Sequence, residues 1–136
     1  MSINFTAVQT ALNTQLATVS GVSSMLEVEN TKKKTTIGTP FVRATLLPAQ
    51  TQPATLGQGG YDGLNGLYQV DVCYPQDDGT LTAGAMADLI INAFVKGTYY
   101  GSTPKVLVQN RWRLPSRRLG SFFVIPVVIQ WVSYQQ

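Results

Sequence analysis

The sequence predicts an α+β fold: a mostly antiparallel β-sheet with two helices packed on one face, in the order αβββαββ. Three observations carry this expectation. Two segments repeat apolar residues at three- and four-residue steps, the period of a helix with one buried stripe. Other segments alternate apolar and polar residues, as strands covered on one side do. The last segment, Phe122–Tyr134 (FFVIPVVIQWVSY), is apolar on both faces for most of its length, the pattern of a central strand. Helices of this kind need a sheet to cover, and a layer of two helices on one sheet is the simplest packing that buries both.

The first helix is expected from about Ile3 to Val19, where Ile3, Val8, Ala11, Leu12, Leu16 and Val19 share a face. Ser2 or Asn4 is placed to cap it, and Gly21 stands where helices commonly stop. Ser24–Glu29 (SMLEVE) alternates as a short strand. Thr31–Pro40 is a polar connection carrying Lys32, Lys33 and Lys34 and ending at Gly38 and Pro40. Phe41–Pro48 is the second strand, with Val42, Ala44 and Leu46 on one side and Arg43 and Thr45 on the other. Leu67–Tyr74 is the third, with Tyr68, Val70, Val72 and Tyr74 as its apolar face opposite Gln69 and Asp71.

Between the second and third strands lies Ala49–Asn65, AQTQPATLGQGGYDGLN, which reads as a long polar loop. Two to five residues suffice to join adjacent strands, and loops beyond about 12–15 residues usually serve function or are disordered. The loop is too poor in apolar residues to build a core of its own, so its length asks for a partner outside the fold.

Pro75–Gly79 is expected as a turn with Asp77 and Asp78, followed by a helix from about Thr82 to Lys96. Ala83, Met86, Ala87, Ile90, Ala93 and Phe94 form its buried stripe. Thr80 or Thr82 suits the cap, the two aspartates suit the positive end of the helix dipole, and Gly97 suits the stop. Lys105–Gln109 is a strand, with Asn110–Leu114 either another strand or its continuation, and Pro115–Gly120 is a basic turn. In the final strand Pro126 implies a bulge or an edge facing away from a ladder. Nothing divides the 136 residues into more than one domain.

Composition narrows the function. Charged residues are only 12%, about half the usual share of roughly 25%, so the polar surface is made of Thr, Gln, Ser and Asn. Burying such neutral groups in an assembly costs far less than burying charges. The net charge of +3 is gathered in Lys32–Lys34 and in Arg111, Arg113, Arg117 and Arg118. A dedicated nucleic-acid binder carries a denser basic face. Trp112, between Arg111 and Arg113, is expected to project opposite them rather than form a stacking platform beside them, and Trp131 reads as core.

The chain has no histidine, which removes the commonest general base and zinc ligand together. The single Cys73 supports neither a disulfide nor a structural zinc site, and it reads as a small buried hydrophobe. The glycines of Gly57–Gly66 lack the GxxxxGK[ST] pattern and the following helix of a phosphate loop. No catalytic, metal or cofactor site is expected. No apolar run reaches the roughly 18 residues of a membrane span, and Met1–Thr10 has neither the basic nor the apolar region of a signal peptide. The expectation is a protein made in the cytoplasm and free of the membrane.

The segments also resemble a known family when taken together. LNTQLA in the first helix is followed by GTPFVRATLLPAQTQPATLGQGG, then GLYQVDVCYP, then ADLIINAF and the closing FFVIPVVIQW. Over about Ile3 to Tyr134 this series is similar to small tailed-phage proteins related to tail terminators, also called tail completion proteins. The resemblance implies a homohexameric ring, not an enzyme, that caps the head-proximal end of a long tail tube and is assembled in the host cytoplasm. It implies as partners the tail tube protein and the head–tail connector, with genomic DNA passing through the lumen without specific binding. Assembly contacts are expected from Gln50, Gln52, Leu56, Gln58, Tyr61 and Asp62 in the long loop, from Lys32, Lys33 and Lys34, and from Arg117 and Arg118. A tube or connector subunit on the same scaffold is the alternative role. A small nucleic-acid-binding protein using Arg111–Arg118 is the alternative from another class.

Overall fold

A computed structural model describes residues 4–22, 26–28, 40–53, 60–75, 80–101 and 105–135. Helix α1 spans Phe5–Ala17, and Asn4 caps it: its Oδ1 accepts the Ala7 N–H at 2.9 Å. Val8, Ala11, Leu12 and Leu16 are its buried residues, one face of a 3.6-residue period. The helix closes as the Thr18 hydroxyl donates to the Gln15 carbonyl, and Gly21 then takes a positive φ of 85°. Helix α2 spans Thr80–Ala93, so Thr82 lies inside it rather than at its cap. It ends short of Lys96, and the left-handed turn at Gly97 leads into the next strand. Asp77 and Asp78 lie outside the described residues.

Eight strands among the described residues form one sheet. They are β1 (Leu26–Val28), β2 (Phe41–Pro48), β3 (Gln52–Pro53), β4 (Asp62–Pro75), β5 (Tyr99–Tyr100), β6 (Val106–Arg113), β7 (Arg117–Leu119) and β8 (Phe122–Gln135). The order is β1-β2-β4-β8-β6-β5, with β3 on β4 and β7 on β8. Every pairing is antiparallel except β1 with β2. The expected five strands are all present, and the short β3, β5 and β7 are added to them.

The centre of the sheet is the β4–β8 pair, matched residue for residue from Asp62↔Gln135 to Pro75↔Phe122. Its register puts Tyr68, Val70 and Val72 beside Ile129, Val127 and Ile125 on one face, where both helices pack in a single core. Tyr68 reaches α1 by a hydroxyl bond to the Asn13 side chain and packs against Phe94 of α2, ring centroids 6.1 Å apart. Trp131 is fully buried, with Phe5 of α1 edge-on at 6.3 Å. Gln135 fastens the end of β8 to the start of α1. Its Oε1 accepts the Asn4 N–H at 2.7 Å, and its Nε2 donates to Ser133 Oγ at 3.2 Å.

The opposite face carries a smaller cluster of Phe41, Cys73 and Val124 with Phe122 against it. Phe41 and Phe122 meet edge to face at 5.0 Å, and the Arg43 guanidinium lies 5.2 Å from the Phe41 centroid. Cys73 is therefore the buried hydrophobe its neighbours predict.

Three local features differ from the sequence expectation or refine it. First, Ala49–Asn65 is not one loop. Asp62–Asn65 continue β4, held by β8 on one side, while Gln52 and Pro53 pair with Gly63 and Asp62 on the other. Ala49–Thr51 and the part between these pairs remain connections, and residues 54–59 of the latter lie outside the described set. Second, Lys105–Leu114 is one strand with a bulge between Val108 and Asn110. Val106 and Val108 face the helices, and the extra residue brings Arg111 and Arg113 back to that side while Trp112 faces away, beside Val128. Third, the basic turn Pro115–Gly120 contains strand β7, and the turn proper is Gly120–Ser121.

Pro126 occupies a gap in the ladder. Its carbonyl accepts the Leu114 N–H at 2.9 Å, just where β6 ends and before β7 begins. A strand residue turns its N–H and C=O to the same edge, so the missing donor faces that break.

Gly66 stands where the end of the β2 backbone leaves no room for a side chain on β4. A Cβ there would collide with the Leu47 carbonyl oxygen and lie 2.9 Å from Pro48 Cα, both backbone atoms that cannot swing aside. Gly66→Ala is expected to destabilise the fold by about 2–4 kcal/mol, read from chemical denaturation. A change below about 0.5 kcal/mol would show that the close approach relaxes freely.

Candidate functional site

The described residues hold no group of three or more His, Cys, Asp or Glu side chains able to gather a metal ion. Charge on the helical layer is equally sparse. α1 has no charged residue, and the described part of α2 has Asp88 alone, 3.2 Å from Arg113 across the layer. Both partners are substantially exposed, which limits this bridge to about 1 kcal/mol or less. The Arg111 Nε donates to the Ile91 carbonyl at 3.4 Å. Two of the four clustered arginines thus brace the helix against the sheet.

The other two, Arg117 and Arg118, stand on β7 within a fully exposed stretch from Leu114 to Ser121. They pair in register with Val124 and Phe123, so they project from opposite faces of the strand. Leu114 and Leu119 on either side are exposed at 38% and 53%. A three-residue edge strand with two arginines resists uncontrolled strand pairing, while its leucines offer apolar surface to a specific partner.

At the far end of the β4–β8 ladder, the face without helices folds into an open cleft of about 410 Å³. β3 supplies Gln52 and Pro53, β4 Gly63 and Asn65, β8 Val132 and Tyr134, and the bulge of β6 Gln109. These strands are consecutive neighbours in the sheet, and the register sets Gly63 beside both Gln52 and Tyr134, and Asn65 beside Val132. Val132, 6% exposed, lies in this cleft, on the face that no described helix covers. The Tyr134 ring lies across Gly63, where a Cβ would sit 3.5 Å from it. The described residues of the cleft lining carry no charge.

Of the residues expected to make assembly contacts, Gln52 lines this cleft, and Gln50 is exposed just before it. Tyr61 is 46% exposed at the start of β4, and Asp62 is half-buried, paired with Pro53 and Gln135. Arg117 and Arg118 are at the other end of the ladder, so the structure separates them from the loop residues. Lys32, Lys33, Lys34, Leu56 and Gln58 lie outside the described residues. Sequence reasoning did not single out Asn65, Gln109 and Tyr134: Asn65 reads as the end of the long loop, and Gln109 and Tyr134 as ordinary polar strand residues. The pairing of β4 with β8 and of β8 with the bulged β6 brings them to one end of the sheet.

A model of the phage tail terminator protein family matches residues 7–131. No curated protein sequence matches the chain. Among solved structures, one named only by a sequence identifier superposes with a TM-score of 0.75 at 16% identity, covering 99% of this chain and 98% of its own. A chain from the virion of a native gene transfer agent particle gives 0.66 at 18% identity, covering 96% and 97%. At these identities the structural likeness is one of fold.

Arg117 and Arg118 make no ion pair among the described residues, so their removal tests surface against scaffold. The double substitution Arg117→Ala, Arg118→Ala is expected to change stability by less than about 0.5 kcal/mol in thermal unfolding. A loss above about 2 kcal/mol would make them structural rather than available to a partner.

Proposed function

This chain belongs to the phage tail terminator family, and from that membership we propose that it forms a hexameric ring closing the head-proximal end of a phage tail tube. The family is one of structural proteins, and the chain is a component of the virion tail. In the proposed role the ring halts addition of tube subunits and presents its other surface to the head–tail connector. DNA passes through the lumen without specific contacts.

The observation that carries this reading is the family match over residues 7–131, most of the chain. Physical support comes from the surface. A head-to-tail ring buries two different patches on every subunit, and a surface with 12% charged residues can be desolvated at low cost. The cleft at one end of the central ladder and the β7 edge at the other are two such distinct patches. The loop residues Gln50, Gln52, Leu56, Gln58, Tyr61 and Asp62, with Lys32–Lys34 and Arg117–Arg118, are the proposed contacts to sister subunits, tube or connector.

Phage lacking the gene are expected to make overlong or headless tails. Absence of tails altogether would instead assign the chain to the tube. For the purified chain, native mass spectrometry is expected to find a hexamer; a persistent monomer with salt-sensitive DNA binding would contradict the ring. Deleting residues 54–59 leaves Gly60–Tyr61 to join Pro53 to Asp62, a two-residue connection that antiparallel strands accept. That variant is expected to unfold at the wild-type temperature yet assemble poorly, whereas loss of the fold would make the segment part of the core.

A further inference from the structure

The cleft at the β3 end of the sheet has the composition of a receptor for one particular kind of segment. Gln52, Asn65, Gln109 and Tyr134, all exposed, line it, and none of these side chains makes a hydrogen bond to another described residue. The cleft floor is apolar, made by Val132 and Gly63, and its volume of about 410 Å³ falls in the ligand-sized range of roughly 300–1,000 Å³. The described lining gives an ionic ligand no charge to pair with, and it would strip the ligand's hydration without return. Backbone amides are the complementary chemistry, because each carboxamide can donate to a carbonyl and accept from an N–H.

We propose that the cleft receives the stretch 54–60 from a second copy of the chain. This stretch, ATLGQGG, has no charged side chain and carries one large apolar residue, Leu56. Leu56 matches the single apolar floor residue with a sizeable side chain, Val132, while the small residues around it leave the backbone open to the carboxamides. It departs from Pro53, on the wall of its own copy's cleft, so donor segment and receptor cleft adjoin in every copy. Adjacent but different patches are what a head-to-tail ring repeats around its axis. The inference rests on the ring reading and adds to it the pair of surfaces that meet.

The experiment is charge complementation in the full-length chain, read by sedimentation velocity and native mass spectrometry. Leu56→Asp places a charge on the donor and Gln109→Arg places one on the exposed rim of the receptor. Each alone is expected to weaken self-association at least about tenfold, because a buried unpaired charge opposes docking. Together they are expected to recover most of it, since the new charges meet across the interface. Thermal unfolding at the wild-type temperature in all three variants verifies that the fold is intact. Full-strength rings in both single variants would overturn the cleft pairing and leave the ring reading standing. Weakening by both without recovery in the double variant would also overturn it. A wild-type chain that stays monomeric overturns both.

Discussion

The antiparallel ladder between β4 and β8 organises the molecule. Its fourteen pairs, from Asp62↔Gln135 to Pro75↔Phe122, run without a register shift. At about 3.4 Å per residue they make a ribbon of roughly 45 Å, longer than most strands in domains of this size. Such a ribbon coils under the right-handed twist of its strands, and the rest of the structure follows from this. The alternation of side chains divides the sheet into a face that both helices cover and a face that none does. The uncovered face carries the cleft at one end and an aromatic cluster at the other. Gly66, without a Cβ, leaves room for the backbone of Leu47 and Pro48 at the end of β2.

Polar groups are placed with the same economy. Arg111 and Arg113 reach α2, and Gln135 ties the end of β8 to the first turn of α1. The Trp131 indole N–H has no acceptor among the described residues, a cost offset by the packing of a large ring fully buried under α1. What remains outside is a surface of Thr, Gln and Asn with few charges. A subunit of an assembly needs such a surface at its contacts, and a solitary protein gains little from it.

The helices and the long strands were legible because they satisfy one rule each along the whole segment. Val8, Leu12 and Leu16 keep a helical step, and Tyr68, Val70, Val72 and Tyr74 keep a step of two. Pro126 was legible as an interruption, and the structure places it at the break between β6 and β7. Asp62–Asn65 was not legible, because aspartate, glycine and asparagine are turn formers. There the pairing supplied by β3 and β8 overrides local preference. Arg117–Leu119 escaped for a similar reason, since no β-branched or aromatic residue marks it as a strand. The cleft had no local signal at all. It depends on the bulge at Gln109 and on the pairing of β4 with β8, which are properties of the assembled fold. The family, by contrast, was visible in the sequence, because its segments occur in order across the chain.

The account's central claim is a position: this subunit as a ring between the tube and the head. A cryo-electron micrograph of the intact virion at residue resolution tests it most directly. The account predicts one closed six-membered ring of this chain at the head-proximal end of the tube, its helices and sheet as described above. Copies distributed along the length of the tube, or absent from its head-proximal end, would contradict it.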